Sequence, residues 1–287
     1  MYVDPNGNIV KAKLPTDIRK IGFFSQQTMA LTGYLKAHGH MSYSTLQSFF
    51  NDIMNLNVAQ SYLAKICTKK LSLALQPAYA EVGQFIRNAP VVGTDETGHK
   101  NPAYKSAWTW CQQTPKAVFF HISNSRASKV LLDILGKNYS GVIICDYFSA
   151  NKKFIRLSKA LVQYCWAHLV RDTKFLLTLD SKTLKRWAKA LLNILRKIFR
   201  LWKTRHSRHF GRYKKAIEKL KKVRRPPDHN EAINIRNRFV DGIDKCYLLF
   251  LERESVSPTN NLSEQAIRFV VIDRRITQGA RSWAGMR

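Results

Sequence analysis

One run constrains this chain more than any other: the β-branched stretch Gly141-Val142-Ile143-Ile144-Cys145, which ends in Asp146-Tyr147-Phe148-Ser149. Continuous apolar content after a glycine marks a short central strand covered on both faces. Asp146 then falls at the strand's C-terminal edge, where open α/β sheets place their chemistry. The same pattern occurs upstream, where Ala89-Pro90-Val91-Val92-Gly93 runs into Thr94-Asp95-Glu96-Thr97. Two strands therefore present two carboxylates, Asp95 and Asp146. With only 19 acidic residues against 48 basic ones, such carboxylates require a cation, and hard divalent ions prefer oxygen ligands.

The formal charge of +29 points to a polyanionic partner, nucleic acid first and an anionic membrane surface second. No run of 18 apolar residues exists, and Met1-Tyr2-Val3-Asp4-Pro5 lacks the basic start and apolar stretch of a signal peptide. The expectation is a cytoplasmic, nucleoid-associated protein with no membrane partner. Cys67, Cys111, Cys145, Cys165 and Cys246 are scattered without a Cys-x-x-Cys pair, which argues against a disulfide frame or a four-cysteine zinc site. At 287 residues and 45% hydrophobic content, the chain can bury a full core and divide into modules.

Read in order, residues 1–20 hold a turn cluster (Asp4-Pro5-Asn6-Gly7-Asn8) and a Lys/Pro arm. Residues 21–88 read as a helical lead-in, with one helix from Gly22 to Ala37 stopped by Gly39. Two more helices, Ser44 to Met54 and Val58 to Lys69, flank Asn55-Leu56-Asn57. A short turn between amphipathic helices is the outline of a helix-turn-helix, with Gln60, Ser61 and Lys65 as its few base-reading side chains, or of an ordinary helical hairpin. From Val91 the texture changes. Strands at Val91–Asp95, Tyr104–Cys111 and Lys116–Ile122 precede a helix at Ala127–Leu135 and then the anchor strand, the middle pair forming an antiparallel hairpin through Gln112–Pro115. That order, with acids ending the first and fourth strands, opens a ribonuclease H-like fold: an α/β protein with a mixed sheet, whose first part spans residues 89–160.

Residues 161–256 read as a basic α-helical insertion. A helix is expected over Leu161–Leu177, placing Cys165, His168, Arg171 and Asp172 on one stripe. Two ligands cannot close a tetrahedral site, so structural zinc is not expected at Cys165 and His168, and His168 is expected to contact DNA or an active-site phosphate. Between Ser181 and Arg225 there are 18 Lys or Arg and one acid, Glu218, interleaved with Leu184, Trp187, Leu191, Leu195, Ile198 and Trp202. A solvated face mixes signs; this one does not, and it reads as a phosphate-contacting surface on one or two long helices, with Lys185, Lys189, Arg196 and Lys203 among its contacts. A further helix is expected from Glu231 to Glu252. Residues 257–287 would close the core. There, Asn261 as N-cap with Glu264 three residues later makes a capping box. The competing reading gives Glu264 to a third carboxylate on a helix beside the sheet, and the residues alone leave the two open.

Asp95-Glu96-Thr97, Asp146-Tyr147, Cys165-Trp166-Ala167-His168 with Arg171, and Asn260-Asn261-Leu262-Ser263-Glu264-Gln265-Ala266-Ile267-Arg268 together closely resemble the transposases of IS-sixty-six-type bacterial insertion sequences, over roughly residues 20 to 285. The resemblance implies a ribonuclease H-like core interrupted by a helical insertion, and an acidic triad at Asp95, Asp146 and Glu264 that holds two Mg²⁺ (or Mn²⁺) ions. It implies DNA cleavage and strand transfer without a covalent protein intermediate, with Glu96 behind the site or facing solvent. The implied partners are double-stranded DNA (terminal repeats and target), a homo-oligomer on DNA, and element-encoded accessory proteins. Cys165, His168, Arg171, Asn261 and Arg268 would join the basic insertion as DNA contacts. Relatives usually carry a further N-terminal DNA-binding region and a longer C-terminal tail, so the expectation is a shortened copy. Two other readings stand beside this one: a nuclease or resolvase that hydrolyses without joining, and a DNA-binding remnant that has lost catalysis.

Overall fold

The computed structural model describes residues 2–10, 23–101, 104–204, 210–222, 226–240 and 246–277. The chain forms two compact units. The first comprises residues 1–79, 101–103 and 271–287. It opens with a small hairpin of β1 (Tyr2–Val3) and β2 (Ile9–Val10). The turn cluster read from sequence makes this hairpin: the Asp4 carboxylate accepts from the amides of Asn6 and Asn8 at 2.9 and 2.8 Å. The Lys/Pro arm at residues 11–20 lies outside the described residues.

Helix α1 (Gln26–Ala37) starts at Ser25, whose hydroxyl accepts from the Thr28 amide. It stops at Gly39, where an added Cβ would lie 2.6 Å from the Leu35 carbonyl oxygen. Helix α2 (Tyr43–Ser48) is capped by Ser42 and runs on as a π-helical stretch, Phe49–Ile53; α3 (Gln60–Lys65) runs on likewise as Ile66–Leu71. Asn55, at φ 51°, turns the chain between them. Asn51 accepts from the Val58 amide and Gln47 donates to the Val58 carbonyl, fixing the turn. Phe24, Leu46, Phe50, Val58, Leu63 and Ile66 form the core of this unit. The two-helix outline is present, but the Gln60 amide donates to Gln47, so that side chain braces the hairpin.

The second unit comprises residues 80–100 and 104–270. Helix α4 (Gln76–Asn88) leads into a five-stranded mixed sheet of β3 (Val91–Asn101), β4 (Tyr104–Gln113), β5 (Val118–Ser123), β6 (Val142–Cys145) and β7 (Leu161–Tyr164), ordered β5-β4-β3-β6-β7. β3, β6 and β7 run parallel and β4–β5 is the expected antiparallel hairpin. All four residues of β6 are buried. Helices α5 (Ser128–Leu135) and α6 (Ser149–Leu157) flank that strand in sequence and bury Val130, Leu131, Ile134, Leu135, Ala150 and Phe154 in the core.

β7 corrects the sequence reading. The helix expected over 161–177 begins only at Trp166, as α7 (Trp166–Phe175), with Cys165 extended at its N-cap. Leu161–Tyr164 instead pairs with Val142–Cys145. A four-residue run has no period of its own, and only the neighbouring strand decides its form. The insertion follows as α8 (Lys182–Thr204), α9 (Phe210–Lys222) and α10 (Asn230–Val240). Leu184, Ala188, Leu191, Leu195, Ile198 and Leu201 are buried in the same core as the sheet, so spacing of three and four has placed α8 with its apolar stripe inward. The helix expected over 231–252 is not continuous. The chain leaves helical form at Tyr247-Leu248 before α11 (Leu249–Glu252), because the Tyr247 carbonyl is taken by Trp166 Nε1 at 2.6 Å and Gln163 Nε2 at 3.0 Å. The last helix is α12 (Asn261–Ile276). No helix among the described residues is long and apolar enough to cross a membrane.

Candidate active site

β3 pairs with β6 through Val91–Val142, Val92–Ile143 and Gly93–Ile144. Continued by two residues, this register sets Asp95, within β3, level with Asp146, just past the end of β6. Asp146 Oδ1 accepts from the Phe148 amide at 3.2 Å and from Asn151 Nδ2 at 2.8 Å. Asn151, 1% exposed in the first turn of α6, therefore fixes the carboxylate. Its role was not read from the sequence, where an Asn five residues after an Asp gives only a weak signal.

The third carboxylate arrives from 118 residues beyond the second. Asn260 Nδ2 donates to the Thr94 carbonyl at 2.8 Å, and its own amide meets Cys165 Sγ at 3.2 Å. The start of α12 is thus fastened to β3 beside Asp95 and to the N-cap of α7. Glu264 lies one turn in, its amide bonded to the Asn260 carbonyl and its carboxylate Oε1 3.0 Å from His168 Nε2. This corrects the capping-box reading. Asn260 stands ahead of the helix, Asn261 is its first residue, and the Glu264 side chain is committed to His168.

Such close docking leaves no room at Gly93, where an added Cβ would lie 2.2 Å from Ser263 Oγ and 3.0 Å from Asn260 Oδ1. Gly93→Ala should destabilise the chain by about 1–3 kcal/mol, the usual cost of overpacking, and Ser263→Ala in the same chain should recover part of it. A melting temperature for Gly93→Ala equal to that of the unaltered protein would contradict this docking.

Burial pushes the Asp95 carboxyl up to about 6; the Glu96 amide and His168 oppose the rise while the negative charges of Asp146 and Glu264 add to it. Asp95 thus feels both other carboxylates. Among the described residues neither Asp95 nor Asp146 is ion-paired with a Lys or Arg, although the chain carries 48 of them. Clustered carboxylates without a basic partner present oxygen donors of the kind a hard divalent cation takes. The residues fit that ion.

Glu96 does not face solvent. Its side chain is 3% exposed, and Arg126 donates to its Oε1 from Nε and Nη2 at 2.9 and 2.7 Å. The guanidinium lies 4.6 Å from the Trp108 ring centre and 3.9 Å from that of Phe148. Burial nevertheless pushes Glu96 up to about 7 from 4.5. A raised carboxyl gives stability that is full below about 4.5 and is lost as pH climbs through about 7. Glu96→Gln does not titrate, so between pH 4 and 8 its stability should gain on the native protein's by at most about 3 kcal/mol. Parallel melting-temperature profiles for the two would refute the assignment.

The remaining expected contacts divide. Cys165 is 2% exposed, so it offers DNA no surface, a correction to its place among the DNA contacts. His168 is bonded to Glu264 rather than free. Arg171, Lys189, Arg196, Lys203, Asn261 and Arg268 are exposed; Lys185 lies 3.8 Å from Asp180. Arg238 of α10 reaches Asp172 at 2.6 Å and lies 5.2 Å from the Tyr147 ring, tying the insertion to the residue after Asp146.

Fold and site define a strongly basic mixed α/β protein with an acidic cluster where the parallel pairing of β3 and β6 ends. The chain belongs to the transposase IS66 family, whose sequence model matches residues 21–287. A search of curated proteins returned no match.

Proposed function

We propose that this protein is an insertion-sequence transposase that cleaves DNA and transfers strands by a DDE mechanism on a ribonuclease H-like core. The observation that carries the reading is the meeting of Asp95, Asp146 and Glu264, the first two without a Lys or Arg partner among the described residues, in a member of a transposase family. Asp95 and Asp146 would hold divalent magnesium or manganese, with Glu264 completing a second position. Two such ions supply Lewis-acid polarisation of the phosphoryl oxygens and activation of the attacking hydroxyl or water.

The protein's own part is positioning. Asn151 and the Phe148 amide hold Asp146 in one rotamer; His168 and the Asn260 anchor set the reach of Glu264. The exposed cations of α8 and α9 neutralise phosphates along the element ends and the target. Such contacts position the duplex, while base contacts specify it. Such sites use no covalent protein intermediate, so no Ser or Cys nucleophile is required.

The test is incubation of the purified chain with candidate terminal-repeat duplexes and Mg²⁺. Free 3′ ends at the element boundary and joined products are expected. Nicks without joining would make the protein a nuclease or resolvase. Binding with neither would make it a DNA-binding remnant of its element.

A further inference from the structure

Beside the strand carboxylates lies a second donor set of different chemistry. Cys165 Sγ, a ring nitrogen of His168 and a carboxylate oxygen of Glu264 all lie within 4.8 Å of one another. The sequence reading set zinc aside because Cys165 and His168 had no companion; the fold supplies one, 96 residues after His168. From these positions we propose that Cys165, His168 and Glu264 form a three-donor site for a thiophilic divalent cation of the zinc class, with Glu264 shared between this ion and the acidic cluster.

The donors select the ion. Magnesium and manganese take oxygen, whereas sulfur, imidazole and one carboxylate together suit zinc. Zinc bonds of about 2.3 Å to sulfur and 2.0–2.2 Å to nitrogen and oxygen place tetrahedral donors roughly 3.5 Å apart, so the cluster needs only a small contraction to close on an ion. Each donor comes from a fixed point. Cys165 is the N-cap of α7, His168 lies in that helix's first turn, and Glu264 lies in the first turn of α12. The sulfur is oriented by the Asn260 backbone amide, and that residue is held in place by its side-chain Nδ2, which donates to the Thr94 carbonyl. His168 and Glu264 side chains are 26% and 32% exposed over the buried sulfur, which leaves the cation a way in. Three protein donors and an open fourth position describe an exchangeable site rather than a closed structural one. Because Glu264 serves both, an ion held here withdraws the third carboxylate from the hard-metal cluster.

Cobalt(II) is the probe, added to the purified full chain without DNA. One equivalent should bind with thiolate-to-cobalt charge-transfer absorption and the intense visible bands of a tetrahedral site. Zinc should displace it and excess magnesium should not. Cys165→Ser should abolish the charge-transfer band, while Cys67→Ser and Cys246→Ser, at the two partly exposed cysteines, should keep it. His168→Gln and Glu264→Gln should each weaken cobalt binding at least about tenfold, the loss that even an outer-shell change produces. Melting curves identify a variant that has not folded; should Cys165→Ser be one, the partly exposed Glu264→Gln decides. Absence of the band in the native chain, its survival in folded Cys165→Ser, or unchanged affinity in His168→Gln and Glu264→Gln would overturn the site. The proposal shares Glu264 with the function proposed above but not its test: a chain that shows the cobalt spectrum and leaves DNA uncut removes that function and keeps this site, and the reverse result does the opposite.

Discussion

Asp146→Asn should yield a protein that folds and binds duplex DNA, yet neither nicks nor joins it. Asparagine keeps the side-chain oxygen that accepts from the Phe148 amide and Asn151 Nδ2, so the turn into α6 survives. What it removes is the charge that holds a hard cation. Lewis-acid stabilisation is worth several kcal/mol and each 1.36 kcal/mol is tenfold in rate, so both steps should fall by at least about 10³. DNA affinity should hold or rise, because a chain at +29 loses one repelling charge. Asp95→Asn should behave alike. Glu264→Gln is the sharper test now that Glu264 is known to stand outside a capping box: glutamine can still bond His168, so unchanged thermal stability with collapsed cleavage is expected. Full cleavage by Asp146→Asn or Glu264→Gln, scored on end-labelled duplexes, would remove that residue from the acidic triad.

The second large effect belongs to the insertion. Replacing Lys185, Lys189, Arg196 and Lys203 with glutamine should flatten the salt dependence of nonspecific DNA binding. Each phosphate contact contributes about 0.9 to the slope of log affinity against log salt, so four lost contacts lower it by at most about 3.6. Between 50 and 200 mM salt that amounts to roughly a hundredfold in affinity. Lys185, within 3.8 Å of Asp180, should account for the smallest part. Binding isotherms over a salt series with an unchanged slope would show that α8 faces solvent and that DNA lies elsewhere.

Strand ends were the legible part of this protein. Val91–Asp95 and Gly141–Asp146 declare themselves by β-branched runs that stop at an acid, although β3 continues past Asp95 to Asn101, and the β4–β5 hairpin by two strands close in sequence. Leu161–Tyr164 did not, since four residues fit a helix or a strand until β6 lies beside them. The Tyr247 break was hidden for a similar reason: the donors that take its carbonyl, Trp166 and Gln163, lie more than 80 residues away. In the site, Asp95 and Asp146 follow from local grammar, whereas Glu264 rested on family resemblance because the same residues spell a helix cap. Asn260, Asn151 and Gly93 act through contacts that no spacing rule contains.

The insertion leaves and rejoins the core at one place. Trp166, the first residue of α7, donates its amide to the Pro258 carbonyl at 2.9 Å, and Cys165 meets Asn260. The helical segment between them is therefore a closed excursion whose two ends are already joined. Lengthening such a loop costs little, about 0.6 kcal/mol for each doubling. Its helices are consequently free to lengthen, shorten or change their charge while Glu264 stays where it is, provided that an apolar stripe like Leu184, Leu191 and Leu195 still covers the sheet. On the function proposed above, DNA preference can thus be rebuilt in this chain without rebuilding its chemistry.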